Sequence, residues 1–160
     1  MKLYVMRHGP AEDFSASGRD ADRALTPSGR DRVRDVAKAL LDADEAPHVI
    51  LTSPLVRARQ TAEIVAAVTG LEARSGAIET STDIAPGGDG AGLARALVRA
   101  HRKRAMIVGH EPDLSALIQS LTSRRIEMLK AIVVGLSAND EGIRVRFVLD
   151  PKSLTWERAQ

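Results

Sequence analysis

The sequence predicts an α/β protein. We expect a three-layer α/β/α sandwich whose central sheet is mostly parallel, with at least one antiparallel strand from a C-terminal hairpin. Short, continuously apolar segments alternate with segments of helical periodicity, as is typical of parallel sheets covered by helices on both faces. Two further strand-like segments near the end of the chain flank a turn of Asn, Asp, Glu and Gly, which predicts a hairpin.

The composition fits one globular domain over residues 1–160. Hydrophobic residues make up 44% of the chain, which is enough for a core. Cysteine is absent, which excludes disulfides, thiolate metal sites and a cysteine nucleophile. The apolar segments are too short to cross a membrane and the N-terminus does not resemble a signal peptide, so we expect a cytoplasmic protein with no membrane partner.

The charge distribution does not favour a nucleic-acid partner. The net charge is only +2, and the basic residues are spread along the chain. The densest basic run, His101 to Arg104, follows a predicted helix, where cations complement the helix dipole. Nucleic-acid binding is a weaker alternative, and steep salt dependence would be its signature.

The first strand is predicted at residues 2–6, which are largely apolar and run directly into Arg7-His8-Gly9. A polar loop follows at residues 9–25, and a loop of this length in a compact domain is usually functional or disordered. Thr26-Pro27 predicts a helix start, with Thr as N-cap and Pro at the first helical position. We expect this helix to end near Asp44. Its predicted apolar face consists of Val33, Val36, Ala37, Leu40 and Leu41.

Residues 48–52 predict the second strand. Ser53-Pro54 then repeats the cap-plus-proline signal, and the helix that it starts is expected to end at Gly70. The apolar face of that helix is predicted to consist of Leu55, Ala58, Ala62, Val65 and Val68. Residues 71–75 are interpreted as a short strand, and the Gly- and Pro-rich residues 76–92 as a loop.

The second half of the chain continues the alternation. A helix is expected from about 92 to 101, followed by a strongly apolar strand at 105–108 that ends in Gly109-His110-Glu111-Pro112. Residues 132–134 and 143–149 predict the two strands of the hairpin. Between the strand at 105–108 and this hairpin, a helix is indicated by Leu114, Leu117, Ile118 and Leu121. No element is predicted after Pro151.

Three of the predicted strands end in residues suited to phosphate chemistry. Arg7 and His8 follow the first strand, Arg57 lies one turn into the helix after the second, and His110 follows the late strand. The carboxyl ends of parallel strands meet at one edge of a sheet, so these four side chains should lie together. Arginine in the first turn of a helix is disfavoured by the dipole unless an anion is bound there. The pattern predicts an anion site with an imidazole nucleophile.

These motifs resemble those of the histidine phosphatase superfamily, also called phosphoglycerate mutase-like. The resemblance rests on Arg7-His8-Gly9, on Ser53 to Thr61 (SPLVRARQT) and on Gly109 to Pro112 (GHEP). The segment Arg23 to Arg30 (RALTPSGR) also resembles the family element that follows the first loop. The short chain and the segment Ile84 to Asp89 (IAPGGD) are most similar to the SixA-type phosphohistidine phosphatases. Ala11 to Phe14 departs from the pattern of the phosphoglycerate mutases.

The resemblance implies a role for each residue. His8 would be the nucleophile that takes the phosphoryl group on a ring nitrogen, and water would then hydrolyse the phosphoenzyme. Arg7, Gly9, Arg57 and His110 would contact the phosphate, and the two guanidiniums would also keep the His8 imidazole neutral. The resemblance implies neither a cofactor nor a metal ion, and the four histidines do not have metal-ligand spacing.

A general acid is harder to predict. Glu79 and Asp83 are the candidates for protonating the leaving group, and Glu12 and Glu111 are weaker ones; each also fits a solvated loop charge. An imidazole leaving group titrates near neutrality, so phosphohistidine needs less acid assistance than an alkyl phosphate.

Three functions remain open from the sequence. The first is a phosphohistidine phosphatase acting on a signalling or phosphotransfer protein. The second is a phosphatase for a small phosphorylated metabolite, in which the loop at 9–25 would cap the pocket. The third is a phosphate-binding module without turnover, which the presence of both His8 and His110 disfavours.

Overall fold

The structure, a computed structural model, describes residues 1–159. Seven β-strands and four α-helices form within this range. The strands are β1 (Lys2–Arg7), β2 (Val49–Thr52), β3 (Ile78–Thr80), β4 (Ala105–Gly109), β5 (Val133–Asn139), β6 (Gly142–Leu149) and β7 (Trp156–Arg158). The helices are α1 (Pro27–Asp42), α2 (Val56–Thr69), α3 (Gly90–Arg99) and α4 (Asp113–Thr122). Among residues 1–159, no helix has the length and apolar character needed to cross a membrane.

All seven strands belong to one sheet, in the order β3-β2-β4-β1-β5-β6-β7. Strands β3, β2, β4 and β1 pair in parallel with one another. The remaining strands are added antiparallel, β5 to β1, β6 to β5 and β7 to β6. The predicted parallel core and C-terminal hairpin are therefore confirmed, with β5 and β6 as the hairpin strands.

Helices cover both faces of the sheet, as predicted. Side chains alternate along the buried strand β1, so Tyr4 and Met6 point to one face while Leu3 and Val5 point to the other. The face of Tyr4 and Met6 packs in one apolar cluster with α1 and α2. The opposite face packs in a second cluster with α3 and α4. The three-layer α/β/α architecture follows from these two clusters.

The prediction of a strand at residues 71–75 is wrong. Gly70 adopts a left-handed conformation (φ 77°) that ends α2, and Leu71–Ala73 continue as a turn of 3-10 helix. Leu71 is buried in the α1–α2 cluster, and its apolar character reflects this contact. The strand is β3, inside the segment predicted to be a loop, where Ile78 pairs with Ile50. As an edge strand it is only partly buried, so it lacks a strong apolar pattern.

The sequence did not predict β7 either. This three-residue strand pairs with the end of β6, with Trp156 opposite Leu149. The Trp156 ring meets the Phe147 ring edge-on at 4.8 Å, and the Arg158 guanidinium lies over the indole. The strand is held by its pairing with β6 and by these ring contacts, and its three residues are too few to form a repeating pattern.

Helix boundaries differ from the predicted ones by a few residues. Helix α1 ends at Asp42, and α3 begins at Gly90, with the Asp89 carboxylate accepting a hydrogen bond from the Gly92 N–H (2.9 Å). The predicted cap at Ser53-Pro54 is wrong, because α2 begins at Val56 after Leu55. Leu41 was predicted on the apolar face of α1 but is 43% exposed. The buried stripe of that helix ends at Leu40.

The turn after β1 lies directly against the start of α1. The Thr26 hydroxyl caps α1 as predicted, accepting from the Gly29 N–H (2.9 Å), and the Thr26 N–H donates to the Pro10 carbonyl (3.1 Å). A Cβ at Gly29 would lie 2.1 Å from the Pro10 carbonyl oxygen, and one at Gly9 would lie 2.6 Å from Val33. Because neither glycine has a side chain, the turn after β1 can pack directly against α1.

An ionic cluster ties the loop before β2 to the sheet. Glu45 is buried, and its carboxylate accepts from the Tyr4 hydroxyl (2.8 Å), from Lys2 Nζ (3.3 Å) and from both terminal nitrogens of Arg146. Burial by itself would raise the pKa of Glu45, but the bonds from Arg146 and Tyr4 outweigh it and lower that pKa to about 2. Each charge of this cluster has a partner.

Candidate active site

The ends of β1, β2 and β4 meet at one edge of the sheet. Arg7 is in register with Gly109, and Thr52 with Val108. The ladder continues one residue further, since the His8 N–H donates to the Gly109 carbonyl (3.1 Å) and the Ser53 N–H to the Val108 carbonyl (3.0 Å). The structure thus brings together Arg7, His8, Arg57 and His110, as their places at strand and helix ends predicted.

The His8 imidazole is oriented by its own backbone. Nδ1 lies 2.8 Å from the Gly9 carbonyl oxygen, which can only accept, so Nδ1 carries the proton and Nε2 carries the lone pair. The side chain is only 6% exposed. Burial is the main cause that lowers the pKa of His8 to about 3, and His110, Arg57 and Arg7 lower it further. His8 is therefore a neutral imidazole with an available Nε2 at physiological pH.

His110 faces His8 across the site. The two ring centroids are 5.1 Å apart, and His110 Nε2 lies 2.6 Å from the Ser53 hydroxyl. Burial, followed by the charge of Arg57, lowers the pKa of His110 to about 4. Its Nδ1 is buried and has no hydrogen-bond partner within residues 1–159. An unpaired buried nitrogen of this kind indicates a contact with a bound group.

Each of the two arginines is held by hydrogen bonds from its terminal Nη atoms. Arg7 Nη1 donates to the Met128 carbonyl (2.9 Å), and Arg57 donates from Nη1 and Nη2 to the Asp20 carbonyl and carboxylate (2.9 and 3.1 Å). The Nε atoms of both are buried and unpaired among the described residues. Two unpaired guanidinium donors beside two histidines have the chemistry to bind a tetrahedral oxyanion such as phosphate.

Asp20 links the loop at 9–25 to the site. Its carboxylate also accepts from Arg23 Nε (2.9 Å), so one carboxylate bridges Arg23 and Arg57. The bond from Arg23 and the charge of Arg57 hold the pKa of this carboxyl below its usual range. The Leu25 N–H donates to the Gln60 side chain (2.8 Å) at the end of the loop. The loop is thus attached to α2 at two points.

The Gly9 N–H is not free to bind phosphate in this structure. It donates to the Thr61 hydroxyl (3.0 Å), which in turn donates to the Arg57 carbonyl (2.8 Å). This chain of bonds connects the turn after β1 with the first turns of α2. Gly9 acts through its carbonyl on His8 and through its N–H on α2, which positions the site.

The four carboxylates that the sequence offers as candidate general acids have different surroundings. Asp83 lines a cavity that His110 also lines, whereas Glu79 forms an ion pair with Arg102 (2.8 Å). Both oxygens of Glu111 accept from Ser115, at its N–H (2.8 Å) and its hydroxyl (2.5 Å), and Glu12 is exposed. Asp83 is thus the one carboxylate of these four that shares a cavity with His110.

Sequence reasoning missed three residues that orient the site: Asp20, Thr61 and the hydroxyl of Ser53. The sequence predicts Ser53 as a helix cap and gives no role to Thr61, the last residue of the SPLVRARQT segment. Asp20 had no local signal, because it is one of several charged residues in a polar loop. Among residues 1–159, no group of three or more histidine, aspartate or glutamate side chains could hold a metal ion.

Comparison with known proteins identifies relatives of this chain. Residues 3–79 match the family model of the histidine phosphatase superfamily (branch 1). An uncharacterised protein of Picosynechococcus sp. is 37% identical over 85% of this chain and 84% of its own length. The phosphohistidine phosphatase SixA of Escherichia coli K12 is 31% identical over 76% of this chain and 74% of that protein.

The chain belongs to the histidine phosphatase superfamily.

Within this superfamily the likeness to the SixA type extends over nearly the whole fold. A solved structure of the protein histidine phosphatase SixA in complex with tungstate superposes with a TM-score of 0.86, at 25% identity, over 97% of this chain and all of the other. This histidine phosphatase is therefore a phosphate-releasing hydrolase of a metal-independent family.

Proposed function

We propose that this histidine phosphatase removes the phosphoryl group from phosphohistidine on a protein, through a phosphohistidine formed on His8. The observation that carries the proposal is the buried, neutral His8, whose Nε2 is available beside two unpaired guanidinium Nε atoms. The relationship to the phosphohistidine phosphatase SixA supports the choice of substrate. Tungstate, the oxyanion bound to the SixA that shares this fold, is tetrahedral like phosphate and supports an oxyanion at the site.

In the first step, His8 Nε2 attacks the phosphorus atom of the substrate. A new N–P bond forms on His8 while the N–P bond to the substrate imidazole breaks, and that bond's electron pair stays with the leaving nitrogen, which takes up a proton. Arg7 and Arg57 hold phosphoryl oxygens through Nε, and His110 donates a further hydrogen bond from Nδ1. These donors offset charge on the transferring group, which is the main task of a phosphoryl-transfer site.

In the second step, water attacks phosphorus on the opposite side from His8. The N–P bond to His8 breaks and its electron pair returns to Nε2. The proton lost by the attacking water passes to solvent, and inorganic phosphate leaves. The bond from His8 Nδ1 to the Gly9 carbonyl holds the ring in one orientation through both steps.

We retain Asp83 as the candidate general acid for leaving groups that need one. Its position on the wall of the cavity that includes His110 supports this assignment, while the pairing of Glu79 with Arg102 disfavours Glu79. An imidazole leaves with little assistance, which favours phosphohistidine over alkyl phosphates.

A protein substrate is favoured by an exposed aromatic side chain. Phe14 is 86% exposed on the loop that carries Asp20, and exposed aromatic side chains are typical anchors of protein interfaces. A partner that presents its phosphohistidine to His8 would cover this ring.

The proposal is tested by turnover of a phosphohistidine-bearing protein, p-nitrophenyl phosphate and a panel of phosphorylated metabolites. Replacing His8 by Ala should lower turnover of every substrate by about a thousandfold or more, because the nucleophile is lost. An alkaline quench should show acid-labile phosphate on the wild type and none on the variant. His48→Ala, an exposed histidine just before β2, is the matched control and should retain activity.

Preference for a metabolite over the phosphoprotein would refute the proposed substrate while leaving the mechanism intact. Turnover that survives His8→Ala would refute the nucleophile. Phosphate binding without any turnover by the wild type would identify a binding module instead.

A further inference from the structure

A cavity lies beside His110, and neither Arg7 nor Arg57 lines it. It has a volume of about 250 Å³ and lies between residues 83–91 and helix α4. His110 is part of its wall, so it adjoins the proposed phosphate site directly. Its apolar surface comes from Ile84, Leu114 and Leu117. A cavity of this size accommodates one long side chain.

The charged residues that line this cavity are all acidic, since the buried His110 imidazole is neutral. Asp83, Asp89 and Asp113 line it, and neither lysine nor arginine does, although the whole chain has more basic than acidic residues. None of the three carboxylates forms an ion pair with a cation of residues 1–159. The cavity is thus complementary to a positive charge supplied from outside the chain.

The carboxylates retain capacity to accept hydrogen bonds. Asp113 accepts one bond from the Gly87 N–H (2.8 Å), and Asp89 accepts one from the Gly92 N–H (2.9 Å). A carboxylate offers about four acceptor positions, so each can bind a further donor. The apolar side chains between them suit the methylene stem of a lysine or arginine, whose charged end stays at the polar rim.

A second observation is that the cavity shares one residue, His110, with the proposed phosphate site. His110 is only 4% exposed, lines the cavity, and has an unpaired Nδ1 among the described residues. One residue therefore borders both the arginine pair and the acidic cavity. A substrate with a phosphoryl group and a nearby cation would engage the two regions together.

We propose that this cavity, formed by residues 83–91 and α4 beside His110, receives the side chain of a lysine or arginine that flanks the phosphohistidine of the protein substrate. This inference rests on the proposed function, because it assigns the neighbouring residue of that same substrate. The arginines bind the phosphoryl group, and the aspartates bind the flanking cation.

The test uses peptides with a central phosphohistidine in an alanine background, with one lysine moved through the four positions on either side. At one or more positions lysine should raise kcat/KM by about fivefold over the all-alanine peptide, the upper range for a solvent-accessible ion pair. Glutamate at the same position should lower it.

Two substitutions in α4 test whether the lysine preference arises from this cavity. Ala116 is exposed and lines the cavity, so Ala116→Lys places a cation at its rim and should abolish the lysine preference. Gln119→Lys adds the same charge to the same helix on the wall of a different cavity and should keep the preference. For each variant the preference is the ratio of kcat/KM for the lysine peptide to that for the all-alanine peptide, so a general loss of activity does not change it.

Equal turnover of the lysine and alanine peptides would overturn the inference while leaving the proposed function standing. A lysine preference that persists in Ala116→Lys would also overturn it, because the cation would then bind elsewhere.

Failure of the proposed function is recognised separately. In that case wild type would hydrolyse p-nitrophenyl phosphate and leave every phosphohistidine peptide intact. The cavity is then tested by inhibition of p-nitrophenyl phosphate turnover with stable phosphoryl-triazolylalanine peptides. Inhibition about fivefold stronger for the best lysine peptide than for the alanine peptide would support the cation site, and equal inhibition would refute it.

Discussion

At the residue scale, both arginines of the site are held through their terminal nitrogens. Arg7 is anchored by a backbone carbonyl, but Arg57 depends on the backbone and the side chain of Asp20, a residue in a polar loop. A guanidinium anchored in this way presents Nε in a fixed direction, which lowers the entropy cost of binding phosphate. Asp20 is therefore a positioning residue for Arg57.

Replacing Asp20 by Ala should lower kcat/KM for p-nitrophenyl phosphate by about tenfold, because Arg57 loses one of its two anchoring groups. Asp20→Asn should restore much of the activity, since an amide oxygen can still accept from Arg57. Asp22→Ala is the matched control, because Asp22 lies in the same turn and pairs with Arg19 instead. Steady-state kinetics and the inhibition constant of inorganic phosphate measure the effect. An Asp20→Ala enzyme that binds phosphate more tightly than the wild type does would contradict the prediction.

At the scale of elements, the site depends on how closely the turn after β1 approaches α1. Gly29 lies in the first turn of α1, where any side chain would overlap the Pro10 carbonyl. Gly9 meets Val33 of the same helix in a similar way. Since Val33 is β-branched and buried, it cannot move aside easily. The turn that carries His8 is therefore positioned against α1 by backbone contacts as well as by side-chain contacts.

Gly29→Ala should reduce the free energy of unfolding by about 2 kcal/mol, because the added methyl forces α1 and the turn apart. The change should also lower activity, since the turn carries His8. Asp35→Ala, at an exposed position of the same helix, should leave stability nearly unchanged. Urea unfolding measures both variants, and equal stability of Gly29→Ala and wild type would show that the turn can relax at little cost.

At the scale of the whole molecule, stability depends on pH through buried groups at separate places in the fold. His8 and His110 stay neutral in the folded state, with pKa values of about 3 and 4, whereas both titrate near 6.5 when unfolded. Between those values and 6.5 the unfolded chain binds more protons than the folded one. Lowering the pH through this window therefore favours unfolding. Glu45, with a pKa of about 2, adds a further loss only below its unfolded value of 4.5.

The free energy of unfolding should consequently fall as the pH is lowered from 7 to 5. At pH 5.5 each of the two histidines should have lowered it by about 1 kcal/mol relative to pH 7. The double variant His8→Gln, His110→Gln should show a shallower decrease over the same range. Urea unfolding at several pH values measures the slope. An unchanged slope in the double variant would mean that these imidazoles take up protons without unfolding.

Much of the fold was predictable because its signals are local. The apolar strands at β1, β2 and β4, the Thr26-Pro27 helix start and the turn between β5 and β6 each depend on a few consecutive residues. The sequence did not predict the two edge strands of the sheet: β3 is only partly buried, and β7 has three residues. Their sequences carry no regular pattern, because edge strands do not bury both faces.

The sequence by itself determined which residues end the central strands, and therefore that Arg7, His8 and His110 share one edge with Arg57 nearby. The carboxyl ends of parallel strands lie at the same edge of a sheet, so the position of each residue directly after a strand was sufficient to predict this cluster. Only the tertiary structure decided what orients these side chains. Asp20 meets Arg57 across 37 residues, Ser53 meets His110 across 57, and Glu45 meets Arg146 across 101. Such contacts depend on which loops the folded sheet brings together, and no local pattern of residues encodes them.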